Sequence, residues 1–363
     1  SHMSRKVYHP GIHLLKMLDE RGLSQRELAS KIDIAHSLLN NILKGNRSIS
    51  INIALSLEAV GFEDASYWLT KQVEYTIYIA KQDKNVSKRS EIIKNWNGLS
   101  NIIPVSFLKK QKFLGIESSD DINKVYNIFG VDNFKALESE IKNFNPTYFR
   151  KSSKFTENKS NVFTWSKLAE FKAKTEKVKS FDSSKEHLLI NELKKCFYKN
   201  ENPVNDSKKI LNKYGIKFFI LDRPAKTPVD GKSFMSRDNP AIVLSLKYKR
   251  LDNFAFTLLH ELGHVFKHLT NPKYNKMDFF VNSSSTAFEE FEANTYAREK
   301  LIDSSTWNDF ILQNDVFTDE VILKLSDKIK VHPGIIRGRV CFEFPDYYRK
   351  RTTITEMNKI LVD

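Results

Sequence analysis

Between Gly11 and about Lys81, apolar residues recur in short blocks at helical spacing: Ile12, Leu14, Leu15 and Leu18; Leu28 and Ile32; Leu38, Leu39 and Ile42; Ile53, Leu55 and Leu57. Steps of three and four residues return a side chain to the same helix face, so the blocks predict a compact bundle of about four or five short helices. Ser24 stands three residues before Glu27, the spacing of a capping box, and Gly45 and Gly61 fall where helices would stop. From 85 to 200 the chain is polar and lysine-rich, with Gly98, Pro104, Gly115, Gly130 and Pro146 interrupting scattered helical patterns. This reads as a helical connecting region with a flexible loop over Asn145 to Asn161. Around Tyr214 the period changes: Gly215 to Leu221 and Ala241 to Leu246 read as strands, and after Asp252 the helical pattern returns. No internal repeat or extended low-complexity tract interrupts this order. The expected fold class is therefore mainly α with a small β-sheet (α+β). Its predicted parts are an all-α bundle over 4–82, a connecting region over 83–204, an α+β domain over 205–345 and a C-terminal tail over 346–363.

A chain of 363 residues exceeds what one core usually organises, which agrees with several domains. No apolar run reaches the length of a membrane span, and the N-terminus lacks the apolar core of a secretory signal, so no membrane association and a cytoplasmic location are expected. Ser1, His2 and Met3 read as the remnant of a cleaved tag and carry no functional argument. Cys196 and Cys341 are too few and too far apart for a disulfide framework or a cysteine-ligated metal. The net charge of +14 points to polyanionic partners, but most of the excess lies between about residues 81 and 215, and the first 80 residues are nearly balanced. Solvated lysine-rich helices and a nucleic-acid-sensing surface are both open readings of that middle region.

The segment Phe256 to Phe266 carries the chemistry, as Phe-Thr-Leu-Leu-His-Glu-Leu-Gly-His-Val-Phe. On a helix His260 and His264 lie one turn apart and can present both imidazoles to one metal ion, with Glu261 one step round the helix as general base. The pattern points to Zn2+ with three protein ligands and an open position, the arrangement of a hydrolytic rather than a structural site. A third ligand is expected from a second helix over Ser284 to Leu301. Glu292 is the choice there, one turn after Phe288, one turn before Tyr296 and next to Ala293, with Glu289 and Glu290 expected to face water. His268 lies one further turn beyond His264 and could compete as a ligand, though a solvent-facing or supporting position is the expectation. The strand ahead of the zinc helix could be an edge on which an extended peptide pairs, or an ordinary core strand.

Gln25 to Gly45 has the helix-turn-helix pattern: one helix through Leu28 and Ala29, a turn at Asp33 and Ile34, and a second helix from His36 to Lys44. With Leu38, Leu39 and Ile42 inward, His36, Ser37, Asn40 and Asn41 face outward, where a recognition helix meets the major groove. Asparagine can pair with adenine through two hydrogen bonds. Gln25, Lys44 and Arg47 are placed to hold phosphates of a double-stranded operator.

Several stretches carry a family resemblance. Residues 9–80 resemble Xre-type, HigA-like antitoxin repressors at Gln25 through Ala29, at Leu-Lys-Gly-Asn-Arg-Ser-Ile-Ser over 43–50, and at Tyr67-Trp68-Leu69 with Gln72 and Tyr75. Residues from about 205 to 345 resemble the ImmA/IrrE family of gluzincin-type metallopeptidases. The carriers there are Gly231-Lys232-Ser233-Phe234, Asn239 to Ile242, Asp252 to Thr257, His260 to His264, Glu292-Ala293-Asn294, and His332 to Ile336 with Gly338-Arg339. The second resemblance implies that Glu292 is the third zinc ligand and His332 a candidate transition-state donor. It also implies a protein substrate, a helix-turn-helix repressor cut to switch on a stress, phage-defence or mobile-element response. Ala35 departs from the serine or threonine common before a recognition helix.

Together these readings predict a DNA-binding transcriptional regulator with a zinc endopeptidase that cuts a repressor, either a partner or its own chain. Single-stranded DNA is carried as a candidate trigger, and paired half-sites make a homodimer the expectation. The alternative is a HigA-like antitoxin or repressor whose metallo-domain senses or dimerises without turnover.

Overall fold

The structure, a computed structural model, describes residues 5–115, 120–144, 155–274, 279–281 and 288–362. Contacts divide the chain into two compact units, residues 1–97 and 98–363.

The first unit holds α1 (Pro10–Arg21), α2 (Gln25–Lys31), α3 (His36–Leu43), α4 (Ile51–Ala59) and α5 (Ala65–Gln82). The predicted capping box is formed: Glu27 N–H donates to Ser24 Oγ at 3.1 Å and Ser24 N–H to Glu27 Oε2 at 2.9 Å. One buried face from each helix meets in a core of Leu14, Leu18, Leu28, Leu39, Ile42, Leu57 and Trp68. Two of the apolar positions in the predicted blocks, Ile12 and Leu55, stay on the surface instead. Gln72 is buried among these side chains, and its Oε1 accepts from Ile49 N–H at 2.9 Å, which ties α5 to the turn before α4.

α6 (Lys84–Ile102) leads to α7 (Val105–Lys110), α8 (Asp120–Phe129), α9 (Phe134–Asn143) and α10 (Phe155–Thr175). The expected loop over 145–161 is thus helical from Phe155 onward, and its residues 145–154 lie outside the described residues. α11 (Glu186–Lys199) and α12 (Pro203–Lys213) follow. This region is not a separate layer of linker. Leu189, Ile190, Leu193 and Phe197 of α11 belong to the same core as the later helices, and Trp165 Nε1 of α10 donates to Leu221 O at 3.0 Å.

β1 (Lys217–Ile220), β2 (Gly231–Ser236), β3 (Asn239–Leu244) and β4 (Phe279–Val281) form one sheet in the order β1-β3-β2-β4. β3 runs parallel to β1 and antiparallel to β2, and β2 is antiparallel to β4. β3 is therefore an interior strand, which decides against its use as a peptide-binding edge: both of its backbone edges are already hydrogen-bonded.

α13 (Leu251–His264) packs on β2 and β3, prolonged by a π-helical turn over Val265–Leu269. α14 (Phe288–Leu301) lies against α13 and is followed by α15 (Ser304–Gln313), α16 (Asp319–Ile329), α17 (Pro333–Glu343) and α18 (Ile354–Met357). The segment after residue 345 is packed as well: Tyr347, Ile354 and Ile360 join the core, and Asn358 holds the start of α13 through Asp252 N–H and Oδ1 at 3.0 and 2.8 Å.

Strand alternation sets the two faces of β2 to different tasks. Gly231 and Ser233 face Glu261 on α13, while Lys232, fully buried, reaches the other way to Ser166 Oγ at 2.7 Å and Glu170 Oε1 at 2.8 Å on α10. The sheet is thus clamped between α10 and α13.

Candidate metal centre

α13 is apolar almost all round and buried along its whole length, including His260, Glu261 and His264. Burial of three polar side chains is unfavourable unless each finds a partner. The partner of the histidines is Glu290, from the first turn of α14. Its Oε2 lies 2.9 Å from His260 Nε2, and its Oε1 lies 3.0 Å from His264 Nε2. The two Nε2 atoms are 3.2 Å apart, so two imidazole nitrogens and a carboxylate converge on one point. Among the described residues, His260, His264 and Glu290 are the group able to hold a metal ion.

Glu292, expected in this role, is not at the pair. Its Oε2 lies 3.3 Å from Nε2 of His268, whose Nδ1 is 3.0 Å from Nδ1 of His264. The reason is helical geometry. At about 100° per residue, positions 290 and 292 point roughly 200° apart, and the face of α14 turned to α13 is Glu290, Ala293, Ala297 and Leu301. Phe288, which suggested a different stripe, is 65% exposed. The close approach that allows this contact needs Gly263, since a Cβ there would sit 3.1 Å from Ala293 Cα and from Tyr296 Cβ.

The surrounding hydrogen bonds assign the ring protons. His260 Nδ1–H donates to Asn294 Oδ1 at 2.8 Å, leaving Nε2 with a free lone pair. His264 Nδ1–H donates to His268 Nδ1, whose Nε2–H then donates to Glu292. Both rings are thereby held in the tautomer that metal binding would require. His268, fully buried, is a supporting group rather than a ligand. Burial also holds His264 down at about 4, so its ring is neutral at ordinary pH. Burial works against ionisation of Glu290, but its close contacts with His260 and His264 outweigh it and hold that carboxyl at about 2.

Glu261 is fully buried, and neither carboxylate oxygen has a hydrogen-bond donor among the described residues. Burial pushes its carboxyl well above the usual carboxylate range, opposed by the Ser233 side chain and the charge of Lys232, with Glu290 adding to the rise. Gly231 clears the space beside it, for a Cβ there would come within 3.0 Å of Glu261 Oε1 and 2.8 Å of Leu244 Cδ2. A His2Glu donor set with an unpartnered buried carboxylate alongside fits a zinc ion with an open position.

His332 is placed elsewhere. It caps α17, where its Nδ1 accepts from Gly334 N–H at 3.0 Å, and the charge that acts on it is Asp252 at the start of α13, about two turns from His260. The same tetrapeptide, His-Pro-Gly-Ile, occurs at His9, whose Nδ1 accepts from Gly11 N–H at 2.9 Å to cap α1. That repetition is a sequence signal for a cap. Residues that the sequence reading missed are Glu290, and Asn294 as the partner of His260.

In the first unit, α3 exposes His36, Ser37 and Asn41, with Asn40 half-buried, Lys44 and Arg47 exposed after it and Gln25 half-buried at the start of α2. Ala35 makes no side-chain cap to α3.

The fold and the site define a helix-turn-helix domain joined to a metallopeptidase-like domain. Residues 14–67 match the helix-turn-helix family and residues 211–340 match the IrrE N-terminal-like domain, a peptidase family. The N-terminal part is similar to virulence-associated protein A of Dichelobacter nodosus, with 39% identity over 71 residues, 19% of this chain and 70% of that protein. It is also similar to the Pseudomonas aeruginosa antitoxin HigA solved with the higBA promoter, with 26% identity, 24% of this chain and 95% of that one covered, and a TM-score of 0.23. A second Pseudomonas aeruginosa protein, solved with its 18-bp operator DNA, shares 28% identity over 21% of this chain and 84% of its own, with a TM-score of 0.20.

Proposed function

We propose that this chain is a DNA-binding transcriptional regulator whose C-terminal domain is a zinc-dependent endopeptidase. Its substrate is a helix-turn-helix repressor, a partner protein or the chain itself, cut to switch on a stress, phage-defence or mobile-element response. The observation that carries the reading is the convergence of His260, His264 and Glu290 on one point beside the unpartnered carboxylate of Glu261.

Zinc held there would supply Lewis acidity to a scissile carbonyl and bring the pKa of water down to about 7. Glu261, with its proton affinity raised by burial, is the general base that takes the proton and returns it to the leaving amine. Asn294, His268 and Glu292 keep the two ligand rings oriented while this happens. The apolar surroundings exclude bulk water, which strengthens each of these electrostatic interactions.

On the DNA side, His36, Ser37, Asn40 and Asn41 read base edges of an operator, and Gln25, Lys44 and Arg47 hold phosphates. A homodimer on paired half-sites suits such a domain, and single-stranded DNA is a candidate trigger.

The test is intact-mass spectrometry of the zinc-loaded protein and of Glu261→Gln, each incubated with a helix-turn-helix repressor, with and without single-stranded DNA. Fragments made by the wild type and not by the variant, whose zinc content is unchanged, are expected. Equal cleavage by both proteins would overturn the role of Glu261, and an intact repressor and chain under all conditions would overturn the peptidase. Enrichment of a DNA sequence from a random pool, lost in Asn40→Ala with Asn41→Ala, tests the first unit.

A further inference from the structure

A cavity of about 590 Å³ lies in the second unit, at the C-terminal ends of β1 and β3, where the segments after Leu221 and Leu244 meet α7 and α10. Its position follows from topology. β1 and β3 are parallel neighbours, so the chain leaves both at the same edge of the sheet, and the two exits leave a crevice between them. The helical connecting region closes that crevice with Pro104, Phe107 and Asn161.

The wall mixes apolar and polar surface, and its charged side chains are mainly cationic. Lys110, Arg223 and Lys247 line it against one acidic residue, Asp222. Arg223 is engaged: its guanidinium donates to Thr227 O at 2.8 Å and lies 3.7 Å from Asp230. Lys110 and Lys247 are exposed, and among the described residues neither has a carboxylate partner. Two ammonium groups against one carboxylate leave the wall positive, and the Asn161 amide adds a neutral donor. The backbone is strained here as well: Leu246, on the wall, has φ 49°, and Lys226, in the segment after β1, has φ 57°. Bulky residues rarely adopt such angles, and held strain of this kind clusters at ligand sites.

We infer that this cavity binds a small phosphate ester of mononucleotide size. The volume is within the range of small-molecule sites and well above what inorganic phosphate fills. Lys110 and Lys247 face the phosphate, which carries about −1.5 to −2 charges as a monoester. Asp222 accepts from hydroxyl groups of the ligand, and Pro104, Phe107 and Pro224 cover its apolar part. None of these residues belongs to the metal centre.

The experiment is isothermal titration calorimetry of the full-length protein, metal-free and zinc-loaded, with AMP, adenosine and inorganic phosphate as probes. Saturable one-to-one binding of AMP is expected, with adenosine weaker by about tenfold or more. Lys110→Glu together with Lys247→Glu should abolish AMP binding while the melting temperature stays unchanged, since both side chains are on the surface. Asp222→Asn should weaken AMP and leave inorganic phosphate as it was. No saturable AMP binding at millimolar concentration, equal binding of adenosine, or full binding by the folded double lysine variant would each overturn the inference. Because heat of binding is read rather than cleavage, its failure is separate from any failure of the peptidase.

Discussion

Glu290 and Glu292 sit two residues apart on α14, and exchanging each for alanine separates the proposed metal ligand from a residue proposed to orient one. Glu290 contributes one of three converging donors, at 2.9 and 3.0 Å from the two histidine nitrogens. Zinc sites with four protein ligands bind with about 10–16 kcal/mol, or roughly 2.5–4 kcal/mol per ligand, so loss of Glu290 should weaken zinc by about 10²–10³-fold. Glu292 acts two hydrogen bonds away, through His268 on His264. Loss of such an outer partner costs about 10–100-fold, or roughly 1.4–2.7 kcal/mol. Competition with a chromophoric chelator measures both affinities. Substitution by Co2+ adds a second reading, because the ligand-field spectrum should change in Glu290→Ala and keep its wild-type form in Glu292→Ala. Equal losses, or a larger loss and an altered spectrum in Glu292→Ala, would refute the ligand assignment.

Lys232→Met removes the buried partner of Glu170 and should destabilise the protein by about 2–3 kcal/mol, less than a fully buried pair because Glu170 is 28% exposed. Burial raises the Glu170 carboxyl, but Lys232 and Lys167 draw it below its ordinary value on balance. The contribution is therefore present above the ordinary carboxylate pKa and fades as pH falls through the lowered folded value, so urea denaturation should find the mutant penalty shrinking below about pH 4. Gly263→Ala should cost about 1–3 kcal/mol by forcing α14 off α13, and zinc affinity should fall with it; a melting temperature within one degree or so of wild type would show that the helices give way freely. Cys196 is pushed up to about 11 by burial, so its alkylation at pH 8 should be about a hundredfold slower than that of an ordinary thiol and rise about tenfold per pH unit. Rapid labelling of Cys196 in the folded protein at pH 8 would contradict that burial.

Local patterns determined a good deal by themselves. Ser24 and Glu27 form their capping box because both partners lie within one turn, and His260, Glu261 and His264 share a helix whose spacing alone sets them side by side. The helical blocks of the first unit, the change of period near Tyr214 and the family resemblance of both ends could be read in the same way. What needed the tertiary structure was every choice that depends on how one element is rotated against another. Whether Glu290 or Glu292 meets the histidines depends on which stripe of α14 faces Gly263, and the exposed aromatics Phe288 and Phe291 obscure that stripe in the sequence. His332 looks chemically competent until it is seen to cap α17 beside Asp252, about two turns along α13 from His260. β3 becomes an interior strand only because β1 and β2 arrive on either side of it. The connecting region joins the core because Trp165 and Glu170 on α10 find Leu221 and Lys232 some sixty residues away. Helix propensity and short-range spacing act within a few residues, whereas burial of a carboxylate or a lysine is decided by partners the chain brings from afar.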